Sequence, residues 1–154
     1  MVTPLDLLGT WDLVRDVDDR LTGERRDVRG SATLTLEAPG RVRWSEEGTM
    51  TWGGRSVPVG RTLYAVHGTG ADPDGWWVEF SDGRPFHPWA VGEAVTHPCA
   101  PDTYVGRIDA AGAGLGAPEG AGVERWTVEW RATGPEKDYV MHTIHSRRRP
   151  ARHA

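Results

Sequence analysis

Apolar and polar residues alternate at every second position through most of the chain, and this period restricts the fold more than any other feature. In "RVRWSEEGTMTW" the residues Val42, Trp44, Glu46, Gly48, Met50 and Trp52 share one side of an extended chain. Trp11, Leu13, Arg15 and Val17 share a side in "TWDLVRDV", Leu34 and Leu36 in "SATLTLE", and Trp126, Val128 and Trp130 in "ERWTVEW". A period of two marks strands with one face buried. Only Thr3-Pro4 reads as a helix start, an N-cap followed by proline at the first helical position, and Gly9 ends that turn. Polar or glycine-rich stretches at 18–27, 68–75, 110–122 and 134–136 separate the extended runs. About eight to ten antiparallel strands with short turns predict an all-β fold, a closed antiparallel barrel with a short N-terminal helical turn. The expectation is one domain over 1–154, with a flexible loop at 110–122 and a flexible tail at 148–154. A barrel of about eight strands holds one small ligand inside.

Charge and composition narrow the partners. The net charge of −4 argues against nucleic acid, because phosphate binding needs a basic surface. The one basic run, at 147–149, reads as a solvated tail. No apolar run approaches the ~18 residues of a membrane span. With no signal-like start, a cytoplasmic monomer or homodimer is expected. A single cysteine, Cys99, excludes an intrachain disulfide. Eight tryptophans in 154 residues imply an aromatic core or an aromatic-lined cavity, since a buried indole also seeks a partner for its N–H.

Turn chemistry orients one hairpin. In "WWVEFSDGRPFHPW" the pair Asp82-Gly83 signals a two-residue type I′ turn. Pairing outward sets Phe80 opposite Pro85, Glu79 opposite Phe86 and Val78 opposite His87. His87 then faces inward with Trp89 beside it. Glu46 and Arg15 sit on apolar stripes and face inward too. "THPCAPDTY" gathers His97, Cys99, Asp102 and Tyr104 between two prolines. On the last strand Tyr139, Met141, Thr143, His145 and Arg147 share a face, and periodicity leaves open whether that face is the inner one.

"LLGTWDLVR" resembles the opening of lipocalins and calycins, in which a Gly-x-Trp starts the first strand under an arginine from the last. Gly9, Trp11 and Arg147 fit those roles. Together with "WSEEG", "FSDGRPFH", "HPCAPDTY" and "GPEKDY", the chain resembles an uncharacterised domain family of bacteria and fungi, expected to form lipocalin-like small barrels. His145 stands where that family usually carries tyrosine. The resemblance implies that Lys137, Tyr139, His145 and Arg147 face inward.

So many interior polar groups must pair or meet a ligand, because an unpaired buried charge costs several kcal/mol. The expected function is binding of a small organic molecule in the barrel, with non-redox acid–base chemistry upon it: isomerisation, cyclisation or dehydration. His87 would move the proton, and Asp102 or Glu46 would orient it. Arg15 and Lys137 would hold negative charge. Tyr104 and Tyr139 would bond the ligand, and Trp44, Trp89, His97 and His145 would line the site. The bland alternatives are a core His87 bonded to Glu46 or Asp102, a Glu46 that serves only Arg15 or Arg147, and an Asp102 that caps a turn. Cys99 is expected to be a buried, inert thiol. A carrier or sensor is the rival reading. A zinc or haem site using His87, His97 or Cys99 is a third, without the paired CxxC spacing that marks zinc. No cofactor is expected, as no phosphate-cradling glycine motif opens a helix.

Overall fold

A computed structural model of the chain describes residues 1–69, 72–111 and 122–148. The loop at 110–122 and the tail at 148–154 lie mostly outside these described residues. A 3-10 turn over Pro4–Leu7 opens the chain. The Thr3 hydroxyl accepts the Leu5 N–H at 3.2 Å, and the Asp6 carboxylate accepts the Thr3 N–H at 2.8 Å. Ten strands follow: β1 (Gly9–Asp19), β2 (Arg25–Ala38), β3 (Arg41–Trp52), β4 (Arg55–His67), β5 (Trp76–Phe80), β6 (Pro85–Pro88), β7 (Ala94–Cys99), β8 (Asp102–Ala111), β9 (Arg125–Thr133) and β10 (Asp138–Arg147).

All ladders are antiparallel, in the order β6-β5-β4-β3-β2-β1-β10-β9-β8-β7. The first and last strands therefore lie side by side, and the sheet curls until β6 approaches β7. No ladder joins those two edges among the described residues, so the barrel is nearly closed, with one seam. The β2 and β3 backbones approach closely where Gly30 faces Gly48. A Cβ on Gly30 would overlap the Glu47 carbonyl, and one on Gly48 would lie 2.6 Å from the Arg29 carbonyl oxygen. Only glycine lets two backbones approach this closely.

The alternation read from the sequence sets the inner face. Trp11, Leu13 and Arg15 on β1 are buried, as are Val42, Trp44 and Glu46 on β3. The face left open on β10 is settled: Thr143 and His145 are fully buried. Leu36 departs from the pattern. It is 49% exposed, because it lies where the β2–β3 register shifts near the strand's end.

The end of the barrel covered by the 3-10 turn is tightly packed. Trp11 and Trp126 meet edge to face with centroids 6.0 Å apart, and Trp126 stacks on His145 at 3.6 Å. The Trp11 N–H donates to the Leu7 carbonyl at 2.8 Å. The Arg147 guanidinium lies 4.1 Å from the centre of the Trp11 ring. It also donates to the carbonyls of Val123 at 3.0 Å and Leu8 at 3.3 Å. The Gly9, Trp11 and Arg147 arrangement implied by the lipocalin resemblance is present.

The Asp82-Gly83 hairpin forms with different geometry. Val78 pairs with His87 as expected, but Glu79 pairs with Pro85 across a bulge. No described non-glycine residue has positive φ, so Asp82 cannot occupy a type I′ turn. Gly83 alone takes a left-handed φ of 87°, and the Phe80 N–H donates to the Arg84 carbonyl at 2.9 Å. The loop is therefore three residues long, with the extra residue absorbed as the bulge.

Candidate functional site

Glu46 is the centre of the interior polar cluster. It is 4% exposed, on β3 halfway along the barrel. Arg15 from β1 donates from Nη2 to both carboxylate oxygens, at 2.9 and 3.1 Å. Arg61 from β4 donates from Nε to Oε1 at 2.7 Å. The Trp44 N–H donates to Oε2 at 3.2 Å. Arg15 Nε also donates to the Thr143 hydroxyl at 2.7 Å, which ties β1 and β3 to β10. Burial alone would raise the Glu46 pKa. The guanidiniums of Arg61 and Arg15 outweigh it and hold the carboxyl well below the usual range. A carboxylate held this way is a poor proton acceptor.

His145 sits behind this cluster. Its Nδ1 donates to the Trp126 carbonyl at 3.3 Å. Its Nε2 lies 3.8 Å from Glu46, beyond hydrogen-bond reach, and has no hydrogen-bond partner. Burial lowers its pKa against the pull of Glu46 and keeps the ring neutral.

Two cavities open toward the far end of the barrel, and both are lined by Arg61 and Met141. The smaller, about 170 Å³, reaches Glu46 and Arg15 past Met50 and Val59. The larger, about 330 Å³, lies beside the seam. Its wall is aromatic: Phe80, Phe86, Tyr104, Trp130 and Tyr139. Phe86 stacks between Phe80, at 4.4 Å, and Trp130, at 4.9 Å. Gly106 makes room for Trp130, since a Cβ there would lie 2.6 Å from the indole ring. His97 from β7 reaches across the seam, its Nδ1 2.9 Å from the Phe86 carbonyl of β6. Side chains thus close a gap that no backbone ladder closes. Arg84 and Cys99 complete the cavity's lining.

The structure gathers some of the expected site residues here and disperses others. Arg15 and Glu46 line the smaller cavity, and His97, Tyr104 and Tyr139 the larger. Burial and the nearby Tyr104 raise the Tyr139 pKa. His87 is 2% exposed, and its Nδ1 donates to the Pro88 carbonyl at 2.8 Å rather than to a carboxylate. Burial, together with Arg61 and His97, pushes its pKa down to about 4. Glu46 is occupied by the two arginines, and Asp102 does not reach His87 because it sits at the tip of the β7–β8 hairpin. There it lies 3.3 Å from Lys137, which also donates to the Tyr104 hydroxyl at 2.8 Å. Lys137 does not face the interior. It precedes β10 in an exposed turn, its side chain 44% exposed, and these partners raise its pKa. Trp44 and Trp89 are core residues, and the Trp89 N–H donates to the Val2 carbonyl at 2.9 Å.

Cys99 corrects a further expectation, since it is exposed. It is the last residue of β7, and the hairpin carries it to the rim, where Asp102 pairs opposite it. Among the described residues no three His, Cys, Asp or Glu side chains converge as a metal site. No described helix is long and apolar enough to cross a membrane.

Arg61, Phe86, Trp130 and Met141 were not singled out from the sequence as site residues. Trp130 lay on the apolar stripe of β9, and Met141 on the face of β10 that periodicity left open. Arg61 lay in "GRTLYAVH", where Leu63 and Ala65 at the same parity marked its inward face.

Known proteins agree with the fold. No functionally curated protein matches the chain in sequence. Among solved structures, an S-type phycobiliprotein lyase from Guillardia theta superposes with a TM-score of 0.59 at 10% identity, over 96% of this chain and 92% of that one. A redesigned β-barrel, mFAP1, solved bound to DFHBI, gives a TM-score of 0.47 at 15% identity, over 96% and 100% of the two chains. The first likeness confirms the barrel. Residues 7–147 match the family of unknown function DUF6314. With the ten-strand barrel and the Gly9, Trp11 and Arg147 arrangement in place, the chain belongs to that family.

Proposed function

We propose that the protein binds a small organic molecule in the cavity beside the seam. One observation carries this reading: about 330 Å³ of space lies against five aromatic side chains and the interior guanidinium of Arg61. Ligand sites combine an apolar or aromatic wall with a few converging polar groups, in volumes of roughly 300–1,000 Å³. A barrel that only needed filling would close this space, as the opposite end does. The shared fold with a phycobiliprotein lyase is a precedent for function on this scaffold, but a fold alone does not choose the function.

Acid–base turnover of the bound molecule is the second reading. His97 and Tyr139 favour it, because both line the cavity. His87 supports it less than the sequence suggested. Its Nδ1 is committed to a carbonyl, and a pKa near 4 makes it a weak base. Cytoplasmic location and the monomeric or dimeric state remain part of the proposal.

Cys99 supplies the test. It is the sole cysteine, exposed, and lines this cavity. A thermal-shift screen of small aromatic compounds should yield ligands that raise the unfolding midpoint and also slow Cys99 modification by a thiol reagent. A screen in which no stabilising compound protects Cys99 rejects this cavity as the site. Incubation of a protecting compound with wild type and with His97→Ala then separates binding from turnover.

A further inference from the structure

We infer that this cavity selects a planar organic anion, a carboxylate or phenolate on one or two rings, held by Arg61. The inference rests on the ligand-binding reading above and adds the chemical class.

The charge balance is the first ground. Two guanidiniums, Arg15 and Arg61, share the single carboxylate of Glu46. Arg61 spends Nε on that carboxylate, and its two terminal nitrogens have no hydrogen-bond partner among the described residues. Its side chain is 32% exposed and lines both cavities. Other charges near the cavity are paired: Arg84 with Asp82 at 2.6 Å, and Lys137 with Asp102 at 3.3 Å. Glu47, which also lines the smaller cavity, lies on the exposed outer face of β3. One unit of positive charge is left at the inner wall. Its field also disfavours the charged forms of Arg15 and His87. An anion accepting from the free guanidinium nitrogens would complete the set with charge-assisted bonds.

Shape is the second ground. Five aromatic side chains line the space, so a flat ring finds stacking or edge contacts on several sides. At about 330 Å³ the space sits at the low end of the ~300–1,000 Å³ typical of ligand pockets, which limits the ligand to one or two rings.

The test compares naphthoate with naphthamide, which match in shape and differ in charge, and with hexanoate, an anion without rings. Binding is read by tryptophan fluorescence and by protection of Cys99. Naphthoate should bind about tenfold tighter than naphthamide at low salt, and the difference should shrink as salt rises. Arg61→Gln should remove most of the preference while naphthamide binding persists. Equal affinity for naphthoate and naphthamide in the wild type overturns the anion inference and leaves the cavity reading standing. This comparison needs no variant, so it decides even if Arg61→Gln fails to fold. Hexanoate binding as tightly as naphthoate overturns the planar requirement. Failure of all three to bind or to protect Cys99 overturns the cavity reading together with the inference.

Discussion

Each end of the barrel directs an arginine inward, and the two are used in opposite ways. At the packed end Arg147 covers the Trp11 ring and donates to two backbone carbonyls. At the open end Arg61 lines the cavity and donates from Nε to Glu46, and its terminal nitrogens have no hydrogen-bond partner among the described residues. The residue type is the same, and so is its position on an inward face. The difference lies in what remains unsatisfied. An arginine that shares its carboxylate with a second arginine leaves charge over. One seated against an indole and carbonyls leaves very little. The surplus at one end, and not the mere presence of charged side chains inside, is what suggests binding.

The largest effect that would break this comparison is expected at Glu46. Glu46→Gln leaves two interior guanidiniums without their carboxylate, and losing one partner of a buried pair costs about 3–5 kcal/mol. Urea unfolding at neutral pH measures it. The native pKa of Glu46 lies below its unfolded value of about 4.3, so its contribution is present above that pH and is lost as pH falls below it. The variant should lack that acid limb. A loss under about 1 kcal/mol would mean that solvent already screens the cluster.

An effect of middle size comes from His87, between the two ends. Its native pKa of about 4 lies below its unfolded value near 6.5, so between these limits the unfolded state binds the extra proton. Stability should therefore fall as pH drops from about 6.5 to 4, by about 3 kcal/mol at most. The slope should be shallower in His87→Asn. Parallel stability curves for the two proteins would show that His87 charges freely and is not buried in solution.

The smallest expected effect sharpens the contrast. Arg147→Ala should cost about 2 kcal/mol, from the lost cation–ring contact and packing. It should leave naphthoate binding unchanged, whereas Arg61→Gln should weaken that binding. An Arg147→Ala protein as stable as wild type would remove the packed-end arginine from the account of the fold.

Strand number, the inner stripes of β1, β3 and β9, and the N-terminal turn were legible in the sequence, because alternation and capping are local properties. The pairing of Trp11 with Arg147 came from a family resemblance, since nothing local links residues so far apart. Errors clustered at strand ends. The family resemblance implied that Lys137 faces inward with β10, but the strand begins one residue later and the lysine turns out to Asp102 and Tyr104. Cys99 was expected inside because free cysteines are usually buried, but the hairpin carries it to the rim.

By itself the sequence determined which residues share a face of each strand, because the side-chain period of an extended chain is fixed by backbone geometry. Only the tertiary structure decided which inward residues meet. Glu46 could have answered His87, Arg15 or Arg147, and the barrel gave it Arg61, its direct partner on β4, and Arg15, which the register sets in line with Val28 and Met50 and whose long side chain reaches across β2 to the carboxylate. The seam and its cavity are likewise invisible to periodicity. They arise where the sheet's two edges approach without a ladder, a matter of how far ten strands curl, and side chains from β6, β7 and β9 must span what the backbone leaves open.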